Sequence, residues 1–311
     1  MKSLTTIMAT LSLACGDGGV TPDASGLVDA GVTVGTDAAA PVVDSGPPPG
    51  CDQDNDGFLA EHCGGDDCDD RARGRNPRAS ERCSFEDENC SGANNENLDC
   101  TFFAHSRDSL YRIDPFMNRV HNAGPLRTPA GRGILDIDRD PNGVLVGVTR
   151  NELLSFDEEG RFEVVASIDT PPNTNGLAID STGRIFLTQS DNDVSNAYTV
   201  NLAGELSVLG SLAPYRSSGD CVVLKDDSLL MTAPDESGDG DLLVYINSQN
   251  ATTRALGSLG FEKVYGLSAS FGYLFGVSDE GRVLLVDPNS GNAEELFRRA
   301  DLRFWGAANG D

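Results

Sequence analysis

Histidine is nearly missing from this chain, and with it much of the raw material for acid–base and nucleophilic catalysis. Three occur in 311 residues: His62, His105 and His121. No Gly-x-Ser-x-Gly elbow is present to seat a nucleophilic serine, so a triad drawn from Ser106 or Ser109 lacks support. Cations are scarce too, with 23 Lys and Arg against 49 Asp and Glu, a formal net charge of −26. Nucleic-acid binding needs a basic stripe, and the one arginine cluster, Arg71 to Arg82, lies among carboxylates. An anionic membrane surface repels such a chain, so membrane association has to come through lipid. Long apolar runs are also lacking. After the N-terminal segment no stretch reaches the eighteen or so apolar residues that a helical span requires.

What the chain has in quantity is a β-strand repeat. Gly176 to Gly210 reads as four short strands, Gly176–Asp180, Arg184–Gln189, Ala197–Asn201 and Glu205–Leu209, each closed by a Gly, Asp or Asn turn. The first strand recurs at residues 134, 176, 220, 266 and 306, spacings of 42, 44, 46 and 40. The turn after the third strand recurs with its Asp or Asn at 114, 157, 201, 247 and 287, spacings of 43, 44, 46 and 40. Two landmarks agree on five repeats, and such a period points to a solenoid or a propeller.

The two landmarks are also out of phase. Asp114 has no first strand ahead of it, and Gly306 has no third strand after it. A linear array would leave both ends as open strand edges. A ring removes them if Trp305–Ala308 supplies the inner strand of the blade formed by Phe102–Ser106, Leu110–Asp114 and Arg119–Ala123. The expected fold is therefore all-β: residues 101–311 as a five-bladed β-propeller closed by the C-terminal strand. An open sandwich with accidental periodicity is the competing reading.

The N-terminus has a different character. Met1-Lys2 precedes an apolar run, Leu4–Ala14, too short to span a bilayer and suited to a secretory signal. Leu11-Ser-Leu-Ala-Cys15 resembles the lipobox of bacterial lipoproteins, with Ser12 where that family usually has Leu. The resemblance implies cleavage after residue 14 and acylation of Cys15. Gly16 directly after the cysteine implies sorting to the outer membrane or cell surface. Plain cleavage and secretion is the alternative. Residues 15–50 are Gly, Ala, Asp, Val and Pro without an aromatic residue, a composition that cannot offset ordering entropy and so reads as a tether.

Six of the eight cysteines crowd into residues 51–100: Cys51, Cys63, Cys68, Cys83, Cys90 and Cys100. An even set in an exported segment reads as a small, loop-rich disulfide framework. The simplest pairing joins the local pairs Cys63–Cys68 and Cys83–Cys90 and ties the ends through Cys51–Cys100. Zinc is the rival, but most spacings do not suit it. Within this module Asp52, Asp54 and Asp56 alternate ahead of Gly57, the pattern that wraps a chain around a hard cation. The twelfth position is Cys63, so the loop is not an EF-hand. Asp66, Asp67, Asp69 and Asp70 offer further carboxylates around Cys68, a density of charge that favours a cation among them. Asp87, Asn89 and Ser91 before Gly92 form a weaker second copy.

The run CDQDNDGF, CGGDDCDD, Asn76-Pro77, Glu81-Arg-Cys83 and DENCSG resembles the metal-binding repeat of MopE-type bacterial surface proteins. It departs at Cys83-Ser84-Phe85, where the family tends to have Cys-Asp-Gly, and at Ser91, where Asp is usual. The resemblance implies metal binding, most simply Ca²⁺, and no enzyme. Copper is disfavoured, since the module has no Met and only His62 as a nitrogen donor.

The strand-Asp-Pro-x-x-Gly turns of the propeller resemble the NHL and YncE-like class. His105 is expected on a second strand and His121 on the outer strand of the same blade. Cys221 replaces a core Leu and is expected as a buried, inert thiol. Asp138 and Asp180 read as turn residues, whereas Asp136 and Asp220 are possible channel acids. Two functions follow. One is a non-enzymatic, lipid-anchored surface protein in which the calcium module presents a propeller to an unidentified protein or glycan. The other is a lactonase-type hydrolase with a channel metal.

Overall fold

The computed structural model describes residues 50–128, 133–191 and 194–310. The expected signal peptide, Cys15 and the tether up to residue 49 lie outside the described residues. Among those described, no helix is long and apolar enough to cross a membrane.

Blade 1 carries β1 (Phe102–His105), β2 (Ser109–Asp114) and β3 (Arg119–Pro125). Blade 2 comprises β4 (Asp136–Arg139), β5 (Leu145–Val148), β6 (Glu152–Phe156) and β7 (Phe162–Ser167). Blade 3 comprises β8 (Thr174–Ile179), β9 (Ile185–Gln189), β10 (Asn196–Val200) and β11 (Leu206–Ser211). Blade 4 comprises β12 (Cys221–Val223), β13 (Leu229–Pro234), β14 (Asp241–Ile246) and β15 (Thr253–Ser258). Blade 5 comprises β16 (Val264–Ser270), β17 (Tyr273–Ser278), β18 (Arg282–Val286) and β19 (Ala293–Arg298). The last strand, β20 (Gly306–Ala308), joins blade 1, whose order is β20-β1-β2-β3. The expected closure is present: Phe103 pairs with Ala308, Ala104 with Ala307 and His105 with Gly306.

Burial falls off from axis to rim, as the side-chain patterns demand. Second strands such as β5 and β9 are buried on both faces, third strands such as β10 alternate, and outer strands such as β7 are mostly exposed. Five apolar clusters fill the five spaces between neighbouring blades. The turns are held by side chains as well as backbone. Asp180 Oδ1 accepts from Thr182 N at 3.0 Å and Arg184 N at 2.9 Å, so the expected turn role of Asp180 is observed. Gly204 has φ +82°, and a Cβ there would lie 2.0 Å from Ser167 O, so blade 3 abuts blade 2 only with glycine at this place. Every pairing of a third with a fourth strand is broken by one register shift at the same level. Such bulges twist the outer edge and make it a poor template for further strands.

Residues 51–100 have almost no regular structure, apart from one 3-10 turn, Glu61–Cys63, and a bridge between Ala60 and Asp67. Three disulfides hold them: Cys51–Cys63, Cys68–Cys90 and Cys83–Cys100. All six expected cysteines are used, which removes the thiolates a zinc site needs, but the pairs Cys63–Cys68, Cys83–Cys90 and Cys51–Cys100 are corrected. The reason is the loop between Ala60 and Asp67, which is closed by a parallel bridge. Asp67 N donates to Leu59 O (3.1 Å) and Glu61 N to Asp67 O (3.2 Å), which turns the two cysteines apart. Cys63 then faces Cys51, whose carbonyl accepts from Ala60 N at 2.9 Å.

Candidate functional site: the propeller axis and the acidic module

Each innermost strand has one edge without a strand partner, so its N–H groups face the channel and need acceptors. At one level these donors belong to Ile137, Leu177, Cys221, Leu267 and Ala307. Asp136 takes two of them: Oδ1 accepts from Ile137 N (2.9 Å) and Oδ2 from Leu177 N (2.7 Å). Asp220 takes the other three, with Oδ1 on Cys221 N (2.6 Å) and Oδ2 on Leu267 N (2.6 Å) and Ala307 N (3.4 Å). At the next level Asp138 accepts from Arg139 N (2.7 Å), Ile179 N (2.8 Å) and Asn309 N (3.5 Å). Asn309 Oδ1 in turn accepts from Ala269 N at 2.7 Å. The turn role expected of Asp138 is therefore corrected. It lies within β4, 2 % exposed, and stitches one blade to the next.

Burial sets the electrostatics of this core. It pushes Asp136 and Asp220 well above the ordinary carboxylate range, and the neighbouring Asp220 charge raises Asp136 further. Interaction with the Asp220 carboxylate raises Asp136 and lowers Asp220, which favours the proton on Asp136 and avoids two adjacent buried charges. Burial likewise lifts Asp138 to about 7, against the pull of its three N–H donors. His105 is buried with Nε2 3.7 Å from Asp136 Oδ1. This is not an ion pair, because burial lowers the imidazole to about 4. Nδ1 faces Ser106 O at 2.9 Å, which places the ring proton there and leaves Nε2 a bare acceptor without a partner. Gly306 makes room for the group: a Cβ would stand 2.0 Å from Asp136 Oδ1 and 2.5 Å from His105 Nε2. His121 is exposed on β3, apart from this core. Cys221 is buried, and burial raises its thiol well above the usual value, so it is inert as expected.

A metal at the axis would need carboxylate oxygens free of other donors. These oxygens already accept two or three N–H bonds per carboxyl, in a field of amide dipoles that suits anions and opposes cations. Asp136 and Asp220 do converge, but on the backbone.

The module arranges its acids differently. Carboxylate oxygens of Asp52, Asp54 and Asp56 lie within 4.8 Å of one another. Asp56 N donates to Asp52 Oδ1 (3.2 Å) and Asp54 Oδ1 (3.1 Å), which curls the loop and draws the two carboxylates together. Gln53 N donates to Asp70 Oδ1 at 2.9 Å and draws the downstream acids onto the loop. Three oxygens, Asp54 Oδ2, Asp67 Oδ2 and Asp70 Oδ2, are buried there without a hydrogen-bond partner. Burial first, then the charges of neighbouring acids, raise Asp54 and Asp67. Asp66 is exposed, and Asp69 is drawn to Arg75 Nη1 at 2.7 Å.

The second loop has the same local geometry. Ser91 N donates to Asp87 Oδ1 (3.1 Å) and Asn89 Oδ1 (2.9 Å), the bonds that Asp56 N makes to Asp52 and Asp54. Sequence reasoning missed Glu96 here. Its Oε1 accepts from the Ser91 hydroxyl, which holds Glu96 below the usual range, and its Oε2 is buried without a partner. A search five residues beyond the degraded fifth position would have found it.

The propeller also has a groove of about 650 Å³ lined by residues of blades 3 and 4, among them Val194, Pro214, Tyr215, Asp235, Glu236 and Leu242.

No family model and no curated protein matches the chain. Among solved structures it is similar to selenomethionine-substituted virginiamycin B lyase from Staphylococcus aureus, at 14% identity and TM-score 0.36, covering 61% of this chain and 62% of that one. TolB from Acinetobacter baumannii matches at 15% identity and TM-score 0.41, over 64% of this chain and 52% of TolB. A nidogen/laminin complex matches at 12% identity and TM-score 0.42, over 67% of this chain and 97% of that one. The chain thus spans less than two thirds of the lyase and about half of TolB. The five-bladed fold rests on the strand pairing above.

Proposed function

We propose that this is a non-enzymatic, lipid-anchored protein of a bacterial outer membrane or cell surface, in which a Ca²⁺-binding module presents the propeller for protein or glycan binding. The observation that carries the reading is the set of three buried, unpartnered carboxylate oxygens on Asp54, Asp67 and Asp70. Buried anionic oxygens without donors are costly, and a hard cation taking oxygen ligands relieves that cost. Asp52 and Asp56 lie beside Asp54, Asp56 through oxygens that also accept from Phe58 N and Asn76 Nδ2. The anchor rests on Leu11–Cys15 and the chemistry of its resemblance. The hydrolase reading loses ground because Asp136, Asp138 and Asp220 are engaged by backbone donors. The groove between blades 3 and 4 is of a size that accommodates ligand groups, and its Tyr, Pro and carboxylate lining suits a protein or glycan surface.

Calorimetric titration of the disulfide-bonded full chain with CaCl₂ tests the module. Saturable binding abolished by chelator is expected, and an absence of heat at millimolar Ca²⁺ would overturn the calcium assignment. Membrane retention that survives a Cys15→Ala change would overturn the anchor.

A further inference from the structure

Two side-chain contacts join the module to the propeller: the ion pair of Asp99 with Arg112 on β2, and the partly exposed ring of Phe85. Phe85 sets its ring edge-on to Phe116, with centroids 4.8 Å apart at 66°, and to Tyr273, 5.4 Å apart at 83°. Phe116 touches Phe271 at 5.9 Å and Phe275 at 6.0 Å, and Phe275 stacks on Phe102 at 5.3 Å. Phe102 belongs to blade 1 and Phe275 to blade 5. Their shared core also buries Ala307 of β20, the strand that closes the ring. Phe85 therefore rests on the closing seam. It stands in the Cys83-Ser84-Phe85 segment that departs from the resembled repeat.

The same segment is tied to the cation loop by short bonds. Arg75 holds Asp69 through Nη1 at 2.7 Å and pairs through Nη2 with Glu86, the neighbour of Phe85. Asn76 Nδ2 donates to Asp56 Oδ2 at 2.9 Å, and Asn76 N donates to Glu88 O at 2.9 Å. Glu88, fully buried, accepts from the Ser84 hydroxyl at 2.7 Å. Asn95 grips Ser84 from the other side, accepting from its N–H and donating to its carbonyl, both at 2.9 Å. Cys68, between Asp67 and Asp69, is bonded to Cys90. Without a cation the clustered carboxylates repel one another, and any opening of that cluster pulls on Asp56 and Asp69 and so on Phe85.

We propose that Phe85 is a latch through which cation occupancy of the Asp52–Asp70 cluster stabilises the closing seam of the propeller. The proposal rests on the calcium reading above. Two sites are named, and coupling between them is a free energy that a ligand-induced shift can read.

The test uses the single tryptophan as reporter. Trp305 precedes β20 and its backbone N–H donates to His105 O at 2.8 Å, so the residue is anchored at the closing blade and its fluorescence reports there. In the full chain, Ca²⁺ about 100-fold above its Kd is expected to raise the Trp305-detected Tm by roughly 5–10 °C. Phe85→Ala is expected to bind Ca²⁺ calorimetrically yet lose that rise. Binding with an undiminished rise in Phe85→Ala overturns the latch and leaves the calcium assignment standing. No binding in the parent overturns both. If Phe85→Ala does not fold, Arg75→Gln carries the test: a diminished rise supports the latch, and a full rise overturns it.

Discussion

Asp136 and Asp220 stand together at the axis of the propeller, and between them the two side chains accept five backbone N–H groups that the inner strands direct there. Two carboxyls thus stand in for the missing fifth strand of five four-stranded sheets. A pair of carboxyls in this position supplies acceptors, and burial, which raises both, disfavours charging the two together.

Removing one partner leaves its backbone N–H donors without an acceptor. Asp220→Ala is expected to cost about 3–5 kcal/mol in urea unfolding, since three N–H groups lose their acceptor. Asp136→Asn keeps a donor toward Asp220 but sets an amide against one N–H, so a smaller cost of about 1–2 kcal/mol is expected. Equal costs for the two changes would show that the three N–H bonds to Asp220 do not set its contribution.

The buried acids make stability fall toward alkaline pH. A folded carboxyl whose pKa is raised keeps its proton while the unfolded one, near 4, has lost it, so its contribution is full below pH 4 and is lost as pH rises through the folded value. For Asp138, raised by burial to about 7, the loss amounts to about 4 kcal/mol. Asp241, raised by burial to about 6, adds in the same direction. His105 opposes them only below its unfolded value of about 6.5, because its folded imidazole, lowered by burial to about 4, binds fewer protons than the unfolded one. Above pH 6.5 only the carboxyls act. Urea midpoints measured at fixed Ca²⁺ are expected to fall between pH 6.5 and 8, and less steeply in Asp138→Asn.

In the module, burial separates the acids that bind from those that do not. Asp67 is 2 % exposed and Asp66 is exposed. Asp67→Asn is expected to weaken Ca²⁺ binding by tenfold or more in calorimetry, about 1.4 kcal/mol, while Asp66→Asn leaves it unchanged. Equal effects would place the cation elsewhere.

The Cys68–Cys90 bridge closes a loop of sequence separation 22 and joins the two acidic loops. A Cys68→Ser, Cys90→Ser double change is expected to lower module stability by about 3 kcal/mol. Mass mapping of the oxidised chain is expected to return Cys51–Cys63, Cys68–Cys90 and Cys83–Cys100.

Much of the architecture could be read from local chemistry. The turns at Asp114, Asp157, Asn201, Asn247 and Asp287 are short-range hydrogen-bonded units, and their spacing counts the blades whatever else the chain does. The phase difference between Asp114 and Gly306 implies closure, because an open edge is unfavourable at either end. Asp52, Asp54 and Asp56 before Gly57 curl a loop through bonds two and four residues apart. Glu96 and Asn309 escaped notice because neither carries a local pattern. The same holds for Asp138: in sequence it looks like a strand-end turn residue, and only the next blade's Ile179 N–H shows it to be a stitch.

The sequence alone therefore determined the repeat, its count, the ring and the acidic loop, all of which follow from contacts a few residues long or from the order of strands. Tertiary structure decided what the axial acids hold, which cysteines meet and where Phe85 rests. Those outcomes depend on groups far apart in the chain, Asp220 with Leu267 or Phe85 with Tyr273, whose meeting is settled by how blades and hairpins pack against one another.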